Sequence, residues 1–561
     1  MTPDQRASTP VEDLAERFWE GILELNPTTA TFYGDDRYAD KLEDPGPDGR
    51  GRARALMERT AAEAETITVD GLSTEDRITR DMLLVIARLE IEQDDQSMHQ
   101  LQVVDQMNGP QQTLPQLTQF QPADTPERLE AFMARLHTYP AYMASYTQIL
   151  REGMQTGLTA PRIVAERSIA QIERMLEVPI ESAIVPSMVK VASEADRERV
   201  REAVRDQVYP ADAAFLEALK GEYLAATRDD PGIWSAPNGE QLYRTLIRRW
   251  TTLELDPAAV HQIGLETLER IEGERREIAR AAGFGDDSAA YRAAQAADAA
   301  NSPTSKDAYV ARATEDIERA MAAAPGFFGT LPRAGCEVRA VEPYKEKDAA
   351  PAYYYPPAPD GSRPGIYYLN GYDLPTRKYS SLATTTYHEA APGHHFQISL
   401  EMENPNLGRF RRMGARMVGG AYVEGWGLYS ERLADEMGLF RDDGERFGML
   451  DAQAWRAARL VVDTGLHALR WPRQRSIDFL RTAGLTETDA SIETDRYISW
   501  PGQALTYMTG QLEIQRLRTE LAARDGSAFD LRAFHDEVLG HGSLPLATLT
   551  RELPNWLATP V

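Results

Sequence analysis

The run Tyr387-His388-Glu389-Ala390-Ala391-Pro392-Gly393-His394-His395 places three of the chain's nine histidines within eight residues, with a glutamate directly after the first. A His-Glu pair is the opening half of a zinc-hydrolase signature. In that signature histidines at i and i+4 hold the metal and the glutamate acts on its water. Here position i+4 is Pro392, which has no ligand atom, and the next histidine comes two residues later. On a straight helix His394 would sit about 240° around and roughly 9 Å up the axis from His388, with His395 about 10 Å away. Neither could share one zinc with His388 at bonds of about 2.0–2.1 Å. Pro392 lacks an N–H and clashes with the carbonyl four residues back, and Gly393 admits backbone angles closed to other residues. The pattern therefore predicts a break at Pro392-Gly393 that can fold His394 back toward His388. The competing reading is an ordinary helix end, with His394 and His395 facing the dipole.

A zinc site needs a third ligand, and Glu424 and Glu431 lie seven apart on one face of an otherwise apolar and aromatic helical stretch, 421–431. Carboxylates on such a face need partners. Glu424 is the natural third ligand, and Glu431 is placed to orient a ligand histidine. With an open position for water on the metal, Glu389 would take the water's proton and pass it to the leaving amine. A developing oxyanion needs a donor. The candidates are Tyr497 and Tyr507, which flank the turn Trp500-Pro501-Gly502-Gln503, together with His467 and Arg496. For each tyrosine a core or surface aromatic role competes with a catalytic one. Asp463 and His467, at i and i+4, read first as a structural hydrogen-bonded pair. His99, His137, His261, His535 and His541 have no chemical neighbours in sequence and read as structural or exposed.

The elements that must position these residues are mostly helices. Apolar residues recur at helical spacing over 11–25, 76–100, 125–151, 160–183, 192–227, 253–281 and 305–324, and again from about Ser380 to the end. Ser380 or Ser381 can cap the helix that carries His388. A small β-rich region spans 336–370, with strands expected at 338–342 and 365–369 and a turn at Asp360-Gly361. The segment 364–370 reads either as an ordinary strand or as an edge strand able to pair with an extended peptide. Residues 228–240 are the best candidate hinge, giving a helical region 1–235 and a second region 236–561 that holds the small sheet and the candidate metal site. Residues 286–301, rich in Ala and Asp, read as a mobile surface segment.

Net charge is −26, from 61 basic and 87 acidic residues, and arginine dominates the bases. That opposes nucleic acid, which demands a basic footprint, and it opposes anionic membrane surfaces. No apolar run approaches a membrane span, and the N-terminus does not resemble a secretory signal. The single Cys336 rules out a disulfide framework within the chain and fits a reduced cytoplasm.

At these residues the chain resembles a bacterial family, domain-of-unknown-function 885 (DUF885), whose signature HExxPGH is here His388-Glu389-Ala390-Ala391-Pro392-Gly393-His394. The resemblance extends over nearly the whole chain. It takes in Tyr354-Tyr355-Pro356-Pro357, Glu424-Gly425-Trp426-Gly427-Leu428-Tyr429, Val462-Asp463-Thr464-Gly465-Leu466-His467, Trp500-Pro501-Gly502-Gln503 and Gly542-Ser543-Leu544-Pro545. It implies a mainly α-helical protein with a zincin-like active-site core that hydrolyses peptides or small amides. It also implies zinc on His388, His394 and Glu424, with Glu389 as general base. The signature does not require His395. Two alternatives stand beside it: a non-haem iron enzyme using the same two-histidine, one-carboxylate set, and an inactive binding or scaffold protein.

Overall fold

The computed structural model describes residues 8–342, 346, 350–358, 361, 363–414, 417 and 420–558. The chain is mainly α, with one three-stranded sheet among the described residues. The expected helices form where the periodicity put them, and local chemistry sets their ends. Pro10–Leu25 starts at a Thr9–Glu12 capping box with Pro at its first position. Asp256 and Ser305 cap Pro257–Ala281 and Lys306–Ala323. The stretch 192–227 is less regular than expected, because two wide turns, Val204–Val208 and Leu219–Tyr223, interrupt it. The helix Pro47–Thr66 has no counterpart in the periodic stretches. It begins on Pro47-Asp48-Gly49, which reads as a break, and buries only Gly49, Leu56, Met57, Thr60 and Ala64.

Among the described residues, three apolar clusters form the interior. The first joins Leu14, Phe18 and Trp19 to Tyr387, Trp426, Phe534 and Leu549. The second joins residues 103–223 to 458–504, and the third draws on 233–291 and 428–508 along with Met98 and Leu158. Each cluster takes residues from both sides of position 235. The expected hinge at 228–240 is pinned: Ile233 and Ala236 are buried, and Ile233 N–H donates to His467 Nδ1. The helix Asp443–His467 contributes to the second and third clusters. Its last nine residues are all buried, as befits a helix enclosed on every side.

The sheet comprises β1 (Cys336–Ala340), β2 (Ala352–Tyr355) and β3 (Gly365–Leu369), in the order β1-β3-β2. The tyrosines read as lying between two strands are a strand themselves. β3 is therefore central, parallel to β1 and antiparallel to β2, with both backbone edges paired. This removes 364–370 as the edge that could receive a peptide. Of the expected turn, Asp360 lies outside the described residues. The segment 286–301, expected as a mobile surface stretch, has regular structure. It contains the helix Ser288–Ala297, anchored by Tyr291 against Phe447, and Asn301 bonds Ser380. That contact replaces the expected serine cap. The His-Glu helix starts at Tyr379, and Asn301 Oδ1 accepts from the Ser380 N–H. No helix among the described residues is long and apolar enough to cross a membrane.

Candidate metal centre

The helix Tyr379–Glu389 stops directly after the His-Glu pair, and a second helix, His394–Glu403, starts five residues later. The Ala391–Pro392 peptide between them is cis. Gly393 is required here by close approach: a Cβ on it would lie 1.9 Å from the carbonyl oxygen of His388. Trp426 Nε1 donates to Pro392 O at 2.9 Å and ties the break to the facing helix, Gly420–Glu436. The result is the fold-back that the spacing demanded. The His388 and His394 rings lie 4.7 Å apart, centroid to centroid, at 82°.

Both imidazoles turn Nε2 toward one oxygen of Glu424, at 3.6 Å from His388 and 3.7 Å from His394. All three candidate ligand atoms lie within 4.8 Å of one another. Tetrahedral zinc with bonds of about 2.0–2.1 Å sets its ligand atoms roughly 3.4 Å apart. The donor set thus fits such an ion with small side-chain shifts. Gly427 makes the arrangement possible, because a Cβ there would fall 2.8 Å from His388 Cε1 and 2.9 Å from His394 Cε1. Any larger residue would push the rings off this helix.

Behind His388 stands a relay. Its Nδ1 is 2.9 Å from Glu431 Oε1, and Gln453 donates to the other oxygen of that carboxylate at 2.9 Å. Glu431 is fully enclosed. Holding Nδ1–H on a carboxylate leaves Nε2 as the free acceptor, the form a metal requires. Burial pushes the His388 pKa down, but Glu424 and Glu431 outweigh it and raise it to about 10. Burial likewise pushes Glu424 up, and the two histidines pull it well below the usual carboxylate range. Three carboxylates, Glu389, Glu424 and Glu431, surround two imidazoles, and a bound cation would offset that charge.

Glu389 is half-buried and has no hydrogen bond or ion pair among the described residues. His394 Nδ1 is buried with no partner. His395 points elsewhere: its Nδ1 meets Tyr354 Oη and Ser399 Oγ, and Nε2 donates to Ala334 O. Burial lowers its pKa to about 4, so it is a neutral strut between the second helix and the sheet.

The structure does not join the expected oxyanion donors to this cluster. Tyr497 is buried, donates to Glu493, and receives from Arg459 and Trp455. A hydroxyl so engaged has no freedom to meet a substrate. Tyr507 lies under the Arg459 guanidinium, 4.4 Å from the ring centre, with its hydroxyl 3.5 Å from Arg496. Asp463 and His467 do not bond each other. Asp463 accepts from Tyr243 and the Gly502 N–H, and His467 bridges Ile233 N–H and Tyr497 O. Of the remaining histidines, His541 sits between Glu75 and Glu537, and His535 between Phe327 O and Tyr429. Sequence reasoning missed Gln453 and the steric role of Gly427. Gln453 has no signal in one sequence, while Gly427, three residues after Glu424, was visible as a small residue on a helix otherwise rich in aromatics.

A solved structure from Colwellia psychrerythraea, described as that of a "putative lipoprotein", superposes with a TM-score of 0.91 at 29% identity over 98% of each chain. A second, from Shewanella oneidensis and described as a "putative lipoprotein of unknown function", shares the fold at 18% identity. Its TM-score is 0.75, over 98% of this chain and 100% of that one. A search of curated proteins returned no match. The profile of the family described as bacterial protein of unknown function (DUF885) covers residues 27–553, and the chain belongs to that family.

Proposed function

We propose that this protein is a zinc-dependent hydrolase of peptide or related small amide bonds, with a zincin-like centre built from His388, His394 and Glu424. The observation that carries the reading is the convergence of two Nε2 atoms on Glu424, with Glu431 fixing the outward nitrogen of His388. When bound, zinc would supply Lewis acidity toward a water and a substrate carbonyl. Glu389, beside the cluster and free of partners, takes the water's proton and returns it to the departing amine nitrogen. Glu431 and Gln453 hold the His388 ring in one tautomer throughout. The net charge of −26 disfavours nucleic acid as substrate. A cytoplasmic location rests on Cys336 alone, whose thiol burial raises to about 12. The similar structures described as lipoproteins point instead to an envelope location, and cell fractionation decides between them.

Elemental analysis of protein purified without added metal, followed by a peptide-library screen of wild type and Glu389→Gln, tests the function. About one zinc per chain is expected, with turnover lowered roughly 10²–10⁴-fold in the variant. Iron with oxygen-dependent activity would transfer the same ligands to a different reaction. Equal turnover by both proteins would remove Glu389 as the base.

A further inference from the structure

Away from the metal centre, a cavity of about 420 Å³ opens between the N-terminal helices, the turn at 228–235 and the Trp500-Pro501 turn. Its size is that of a small-molecule site. The walls include Leu246, Trp250, Ile498 and Trp500, two indoles and two aliphatic side chains. Four charged residues line it. Arg249 and Glu90 lie 3.5 Å apart and offset each other. Asp105 is committed to Trp500 Nε1 at 2.6 Å and Met107 N–H at 2.7 Å. The fourth is Arg228.

Arg228 is held rigidly from behind. Its Nε donates to Thr159 O at 2.8 Å, and Nη1 donates to Gly232 O at 2.7 Å and Ser235 Oγ at 2.6 Å. All three acceptors are neutral. Among the described residues no carboxylate pairs with this guanidinium, and Nη2 has no partner. This is unusual in a chain with so many more acids than bases, where most arginines here meet a carboxylate. Burial lowers its pKa to about 10, so it stays charged at neutral pH. A fixed guanidinium with no carboxylate partner, on the wall of a cavity that also holds two indoles, suits an anion. One free nitrogen, with Glu90 and Asp105 also on the walls, favours a monoanion over a phosphate dianion.

We propose that this cavity binds a small carboxylate with an aliphatic or aromatic body, its carboxyl group on Arg228 and its body between Trp250 and Trp500. The site stands apart from the hydrolase reading. It approaches the metal-bearing helix near that helix's start, where Arg249 donates to Met417 O at 2.5 Å and Trp250 O faces Gly420.

The test uses full-length wild-type protein and ligands with no hydrolysable bond: 3-phenylpropanoate and 4-methylpentanoate, each against its alcohol. Calorimetry and tryptophan quenching read the affinity. The acids are expected to bind saturably in the millimolar range or tighter, at least about tenfold better than the alcohols. In Arg228→Gln the acid should fall to the alcohol's affinity while the alcohol is unchanged. Trp500→Phe should remove much of the quenching. Equal affinity of acid and alcohol for wild type, absence of saturable binding of both acids, or an Arg228→Gln protein that keeps the acid preference each overturns the proposal. Should Arg228→Gln also lose the alcohol, its cavity has collapsed and the wild-type ratio decides. Because no ligand contains an amide, binding without peptidase activity would sink only the proposed function, and activity without acid preference only this site.

Discussion

Two parts of the molecule bring imidazole and carboxylate groups together and put them to opposite uses. Around His388, two imidazoles and Glu424 aim atoms at a common point and leave Glu389 without a partner. Around His467, an imidazole and Asp463 sit one turn apart on a buried helix, and each is saturated by backbone and tyrosine groups. The mere presence of imidazole beside carboxylate does not distinguish the two. What distinguishes them is where the hydrogen-bonding capacity goes. Buried polar groups are normally satisfied by their own fold, as in the second pair. The first leaves ligand atoms converging and unsatisfied, with His394 Nδ1 also orphaned.

This contrast is broken most severely by removing a converging atom. His394→Ala should abolish stoichiometric zinc uptake, measured by elemental analysis after dialysis, while His467→Ala should retain about one zinc per chain. Retention of metal by the first, or its loss from a folded second, would reverse the assignment of the two regions. Next in size is Glu431→Gln, which removes the charge behind His388 and keeps its shape. Zinc affinity should fall by about 10–100-fold in a chelator competition, with little change in melting temperature. Gly427→Ala is expected to lower affinity as well, because its Cβ meets both rings, and far-UV circular dichroism should remain that of the wild type.

The sequence carried the chemistry of the first region further than its geometry. The Pro392-Gly393 break, the fold-back of His394 and the placing of Glu431 behind His388 were legible because proline and helix pitch are strict constraints on the backbone. Helix positions were legible for the same reason, through periodicity. Pro47–Thr66 was hidden by its small residues, and the central place of β3 by the tyrosine run of β2, since strand order depends on pairing between segments far apart in sequence. For Tyr497 the core role that competed with the catalytic one is the one the structure shows, since proximity to a Pro-Gly turn says nothing about which way a ring packs. The i and i+4 spacing of Asp463 and His467 predicts that they meet on a helix, but Tyr243 and the Gly502 N–H compete for Asp463 and win.

The second region makes its own prediction, smaller and opposite in kind. Burial raises the Asp463 pKa to about 7, against hydrogen bonds from Tyr243 and Gly502 that lower it. An acid whose folded-state pKa lies above its ordinary value of 3.8 favours folding in its protonated form. Its contribution is fully present below about pH 4 and is lost as pH rises through 7. Asp463→Asn keeps an oxygen for both donors and cannot ionise. The stability of wild type relative to this variant should therefore fall between pH 4 and 8, by up to about 4 kcal/mol. Parallel denaturant titrations across that range measure the gap. A constant gap would mean that Asp463 ionises freely in the folded protein, and the contrast between a saturated, purely structural pair and an open, metal-ready cluster would lose its second half.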